Sequence, residues 1–96
     1  MTRVSLSVFV FTVLSISIGG CGPIKSTQII QRSDTALHKA KTAGAGDKAA
    51  YEYRSAELYL HKAREKWGTS DFEYALDYAS KSLDFAKTAH DKSVKE

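Results

Sequence analysis

Few side chains in this 96-residue chain could support covalent or metal chemistry, and their spacing narrows the choice further. Cys21 is the only cysteine. It stands directly after Ile18-Gly19-Gly20, behind an apolar run from Val4 to Ile18 and a basic start, Met1-Thr2-Arg3. A lone thiol forms no internal disulfide. Its chemistry is that of an acceptor for a covalent group, or that of an ordinary free thiol. The histidines, His38, His61 and His90, are widely separated, and none sits at metal-ligand spacing from another histidine or from the cysteine. His61 falls between Glu57 and Glu65 at steps of four, the pattern of a solvated helix face. Gly44-Ala45-Gly46 follows no strand pattern and reads as a helix break rather than a phosphate loop. No Ser–His–Asp or Cys–His set emerges, and the acids lie mainly on outward faces, whereas acid–base work needs carboxylates converging in a pocket. The inventory assigns no catalytic residue, no metal and no cofactor, and it points away from an enzyme.

The first 20 residues have the parts of a secretory signal: a positive start, an apolar stretch and small residues before the cut. The apolar stretch is shorter than the ~20 residues of a spanning helix, and it is interrupted by Ser5, Ser7, Thr12, Ser15 and Ser17. The tetrapeptide Ile18-Gly19-Gly20-Cys21 resembles the lipobox of bacterial lipoproteins. The resemblance implies cleavage between Gly20 and Cys21 and a covalent lipid on Cys21. An uncleaved single-pass anchor and a plain secretory signal are the alternatives. In diderm lipoproteins an aspartate directly after the lipidated cysteine often holds the protein in the inner membrane. Here that residue is Gly22, so the resemblance implies a lipid-anchored protein on the periplasmic face of the outer membrane. Two or more acyl chains anchor stably, whereas one is marginal.

Residues 21–96, 76 in number once the first 20 are set aside, are enough for one small domain. Basic and acidic residues alternate along each segment, which argues against nucleic acid as a partner. Residues 21–27, with the only proline, Pro23, read as a lipidated tether. A helical domain is predicted over 28–91, with helices over about 28–43, 48–67 and 71–90, and a frayed tail over 92–96. Ser26 or Thr27 is placed to cap the first helix. Its apolar positions are Ile29, Ala36, Leu37, Ala40 and Ala43, and Gly44 suits its left-handed C-terminal position. Asp47 is the expected N-cap of the second helix, where Ala49, Tyr53, Ala56, Leu60, Ala63 and Trp67 recur in steps of four and three. Ser70-Asp71-Phe72-Glu73 matches a capping box for the third helix, whose expected buried stripe is Phe72, Ala75, Leu76, Ala79, Leu83 and Ala86. The short second connection makes those two helices antiparallel. The fold class is therefore all-α, an antiparallel helical hairpin extended by the first helix to a small three-helix bundle.

Tyr51-Glu52-Tyr53, Ala56-Glu57-Leu58-Tyr59-Leu60, Lys62-Ala63, then Ser70-Asp71-Phe72 and Ala75, resemble as a set a domain-of-unknown-function family of small proteobacterial lipoproteins. The resemblance covers roughly 36–89, with Ala50 where the family often carries proline. Some members of that family add a peptidoglycan-binding domain, which does not follow here. The hairpin also resembles one tetratricopeptide-type unit through Ala63, Phe72, Ala75 and Ala79, with Lys62 and Lys66 where that motif prefers Leu and Tyr. Such units stack in about three copies. A single one implies either a self-contained bundle with the first helix or a piece that docks elsewhere.

Aromatic residues are the remaining signal. Tyr74, Tyr78 and Phe85 form a second face on the third helix, and Tyr51 and Tyr59 lie on the second. These five are the candidate partner-binding residues, because exposed aromatic patches mark interfaces. The alternative is that the face packs under the first helix. The resulting expectation is a non-enzymatic adaptor that binds an envelope protein or itself. A structural or glycan-binding link between outer membrane and peptidoglycan is the alternative. The chain ends Lys95-Glu96, which argues against attachment to the wall through a terminal lysine.

Overall fold

The computed structural model describes residues 21–95, and these are almost entirely helical, with no strand among them. Helix α1 spans Cys21–Thr42, α2 is a single turn at Ala45–Lys48, α3 spans Ala50–Gly68 and α4 spans Phe72–Lys95. Residues 1–20, expected as a signal segment, and with them the Gly20 side of the expected cleavage site, lie outside the described residues. Helix α4 is the centre of the bundle and packs along both α1 and α3. The chain runs up α1, back down α3 and up α4, so α1 and α4 are parallel and α3 is antiparallel to both.

The core is built from small residues. On α4 the buried positions are Ala75, Ala79, Ser82, Ala86, Ala89 and Ser93, in alternating steps of four and three. On α3 they are Ala56, Leu60 and Ala63, and on α1 Ser26, Ser33, Leu37 and Ala40. This spacing averages 3.5 residues, the period that keeps one seam facing a neighbouring helix over many turns. Small side chains on that seam bring the backbones close enough for serines to reach across. Ser82 Oγ donates to the carbonyl of Ala56 at 2.7 Å, and Ser33 Oγ lies 2.7 Å from the carbonyl oxygen of Ala79 and 2.9 Å from that of Ile29. The buried hydroxyls thus have partners, which removes the penalty of burying a polar group.

Several expected boundaries and stripes are corrected. Residues 21–27 are not a tether but the opening turns of α1. Proline is tolerated in a first turn, where its missing N–H is not needed. Ser26 and Thr27 therefore do not cap a helix. Both donate back to the carbonyl of Pro23, at 3.1 and 2.7 Å, and Ser26 is buried. Gly44 does take the left-handed conformation, at φ 86°. The residues after it continue as α2, however, because Ala45 and Ala49 bury with Ala40 and Ala89. Asp47 consequently lies inside α2, and α3 begins after Ala49 with no side-chain cap.

The second connection also differs from the capping-box reading. Ser70 sits at φ 62°, the N–H of Asp71 donates to the carbonyl of Lys66 at 2.8 Å, and that of Ser70 to Trp67 at 3.1 Å. These are the paired bonds of a Schellman C-terminus. Ser70 therefore ends α3, rather than starting α4, and Phe72 opens α4. The tail expected to fray from Lys92 is helical to Lys95. Ser93 is buried there, Lys92 pairs with Glu52, and Val94 is exposed.

Candidate partner-binding groove

Because the seam between α3 and α4 is filled by Ala56, Ala63, Ala79 and Ser82, no room is left there for rings. The aromatic side chains are displaced to its flank. Antiparallel pairing then interleaves them along the groove between α3 and α4. Tyr51 meets Phe85 edge-on at 6.1 Å between ring centroids. Tyr59 stacks on Phe85 at 5.7 Å, with 8° between planes, and on Tyr78 at 6.0 Å, with 24°. The five residues read as binding candidates are thus four members of one ladder, with Tyr74 one turn before Tyr78 on the same helix. Tyr78 and Phe85 of α4 meet the rings of Tyr51 and Tyr59 on α3, and Phe85 also packs on the core cluster that includes Leu37 of α1.

Three lysines run beside the ladder. Lys81 lies 5.7 Å from the Tyr59 ring centroid and 5.8 Å from that of Tyr78, Lys62 lies 5.7 Å from Tyr78, and Lys66 lies 5.7 Å from Tyr74. Exposed cation–π contacts of this kind contribute about 0.5–1 kcal/mol. Sequence reading missed these lysines as part of the site. The signal was available in Lys62 and Lys66, which stand where the tetratricopeptide pattern prefers Leu and Tyr. Tyr59, Tyr78 and Phe85 are half-buried, whereas Tyr51 and Tyr74 are 72 % and 58 % exposed. No tyrosine hydroxyl of the ladder hydrogen-bonds to protein among the described residues, so each is left to solvent or to a partner.

The other grooves differ in chemistry. That between α1 and α4 is lined largely by polar and charged side chains, among them Gln28, Gln31, Arg32, Lys87 and Asp91. That between α1 and α3 carries the Arg64–Asp34 ion pair at 3.0 Å, with His38, His61 and Lys41 nearby. Tyr53 faces this side, and burial, reinforced by Glu57 and opposed by Arg54, raises its phenol above the ordinary value. Glu52, on α3, is hydrogen-bonded by Lys92, which holds its carboxyl below the usual range.

Trp67, expected in the core, is 43 % exposed. The seam ends at Ala63, and Trp67 instead lies across the end of the bundle. Its Nε1–H donates to Thr27 Oγ1 at 3.0 Å, and its ring meets Phe72 edge-on at 6.2 Å. Leu76 and Leu83 are half-buried at the flanks of α4, not in the seam. His38, His61 and His90 sit on separate helices. His61 is 3.9 Å from Glu65 and His90 is 3.6 Å from Asp91. Among the described residues no group of three or more His, Cys, Asp or Glu side chains is placed to hold a metal ion. No described helix is long and apolar enough to cross a membrane.

Fold and groove together define an all-α bundle of three long helices that carries one aromatic, lysine-edged surface. No family model matches the chain, and no curated protein or solved structure is detectably similar to it.

Proposed function

We propose that this chain is a non-enzymatic adaptor, lipid-anchored through Cys21 to the periplasmic face of the outer membrane, that captures another envelope protein in the α3–α4 groove. The observation that carries the reading is the ladder Tyr51–Phe85–Tyr59–Tyr78 with Tyr74 beyond it. It leaves two rings largely exposed at its ends and ammonium groups along its edge. Aromatic rings with a polar handle suit protein interfaces, where one part is desolvated and the other stays wet. Lys81 above the rings already pairs with Asp77, whereas Lys62 and Lys66 favour a partner segment bearing carboxylates. The other two grooves are lined mainly by polar and charged side chains and hold no stacked rings among the described residues. The lipobox resemblance at Cys21 supplies the attachment and the compartment.

The test places a photo-crosslinking amino acid at Tyr51 or Tyr74, and at Gln31 in the α1–α4 groove as the control, in cells of the source organism. Adducts with one envelope protein from positions 51 and 74, and none from 31, are the expected result. Adducts of doubled mass from 51 and 74 would identify a second copy of the chain as the partner. Recovery only with sedimented peptidoglycan would replace the adaptor reading with a wall-linking one.

A further inference from the structure

The two ends of the bundle are not alike. At the end where α1 begins, three helices each contribute an apolar side chain: Ile24, which is 57 % exposed, the partly exposed Trp67, and half-buried Phe72. At the opposite end lie Gly46, Asp47, Lys48, Lys92 and Lys95, with Val94 and the groove's Tyr51 the large apolar side chains exposed there. The first end is also where Cys21 stands, at the first residue of a continuous helix. Acyl chains on Cys21 would join the bundle at this end, at the first residue of α1.

A chain of hydrogen bonds fixes the indole across that end. Trp67 Nε1–H donates to Thr27 Oγ1, and Thr27 Oγ1–H donates to the carbonyl of Pro23 at 2.7 Å. Thr27 is six residues from Cys21, about 9 Å of helix rise. The polar layer on one side of a bilayer is about 5–8 Å thick. Thr27, which holds the indole N–H, is thus about 9 Å along α1 from the attachment point, at the outer edge of one headgroup layer. Tryptophan is the side chain most suited to that layer, with an apolar ring and a polar N–H.

We infer that the α1-start end of the bundle is a membrane-seating surface, in which Trp67, flanked by Ile24 and Phe72, rests in the lipid headgroup region and holds the bundle upright on the bilayer. The seating rests on the reading of Cys21 as the membrane attachment. Charge contributes little, because Lys25 and Lys66 at this end are matched by Asp71 and Glu73. The aromatic groove then rises from the membrane, with Tyr74 near the lipid and Tyr51 farthest from it.

Trp67 is the only tryptophan in the chain, so it reports its own surroundings. The full chain, purified from membranes with its acyl mass confirmed, is reconstituted in vesicles of phosphatidylethanolamine and phosphatidylglycerol. The expected result is a shift of Trp67 emission to shorter wavelength relative to soluble Cys21→Ser protein that begins at residue 21, without the apolar run. It is accompanied by loss of acrylamide quenching, and by quenching from lipids spin-labelled near the headgroup. Added salt leaves all three unchanged. Ile24→Ser reduces the shift without loss of helicity. Protein that floats with the vesicles yet keeps the emission and acrylamide quenching of the soluble form overturns the seating. So does a blue shift without spin-label quenching, which assigns the covering of Trp67 to a second copy. Absence of an acyl mass and failure to float overturn the attachment reading itself, and the seating with it.

Discussion

Ser70 occupies left-handed backbone at φ 62°, between the last turn of α3 and the first of α4. A Cβ is unfavourable there, and glycine is the usual occupant of this position in a Schellman motif. Ser70→Gly is therefore expected to stabilise the bundle by roughly 1 kcal/mol. Ser70→Ala should be close to neutral, since no cap bond is lost. Thermal melts of both variants check this, and a marked loss with alanine would restore the capping-box role. Glu52 has the opposite kind of sensitivity. Lys92 lowers its folded pKa, so the pair contributes stability above the ordinary carboxylate range of about 4. That contribution is lost as the pH falls from the ordinary value through the lowered one. Glu52→Gln should remove that part of the acid sensitivity while leaving helicity at neutral pH intact, as read by circular dichroism against pH.

Helix α4 shows how a low-hydrophobicity element becomes the centre of a bundle. Its buried residues are four alanines and two serines in an unbroken alternation of steps. Individually they bury little apolar area, but they let α1 and α3 approach closely, and two of the seam's cross-helix links are serine hydroxyls on backbone carbonyls. Such a seam tolerates deletion better than enlargement. Ser82→Ala removes one hydrogen bond and should cost about 1 kcal/mol. Ala79→Leu has no space to enter and should cost about 1–3 kcal/mol or open the bundle. Chemical denaturation of the two variants separates these outcomes, and an unchanged midpoint for Ala79→Leu would contradict the packing described.

The whole molecule separates its tasks by side and by end. The small-residue seam holds the helices, the aromatic ladder lies along the α3–α4 groove, and the other two grooves are lined mainly by polar and charged side chains. Under the proposed function, Tyr51→Ser combined with Tyr74→Ser should abolish partner capture with little change in melting temperature, because both rings are mostly exposed. Loss of the fold would assign them a structural role instead. Cys21→Ser should leave uncleaved precursor and release the protein from the outer-membrane fraction, scored by mass and by membrane fractionation. Normal processing of that variant would remove the lipid anchor from the proposal.

Much of this was legible before any coordinates. The steps of four and three from Ala49 to Ala63 specified a helix with one buried face, Gly44 specified the end of α1, and the short stretch after Gly68 forced a hairpin, because each depends on local periodicity or backbone sterics alone. Asp77 and Lys81, four residues apart, do pair, at 3.4 Å. Other features depended on neighbours distant in sequence. Ser33, Ser82 and Ser93 are polar by type, and only the carbonyls of facing or preceding turns make their burial tolerable. Trp67 continued an apolar stripe, yet the seam beyond Ala63 gives way to the bundle end, so its indole turned to Thr27. Residues 21–27 carried tether composition, but packing of Ser26 against the bundle made them helix. The ladder needed the antiparallel register of α3 and α4, because two tyrosines on one helix and three aromatics on the other become one surface only when the alanine seam brings the two helices together and leaves the rings no place inside.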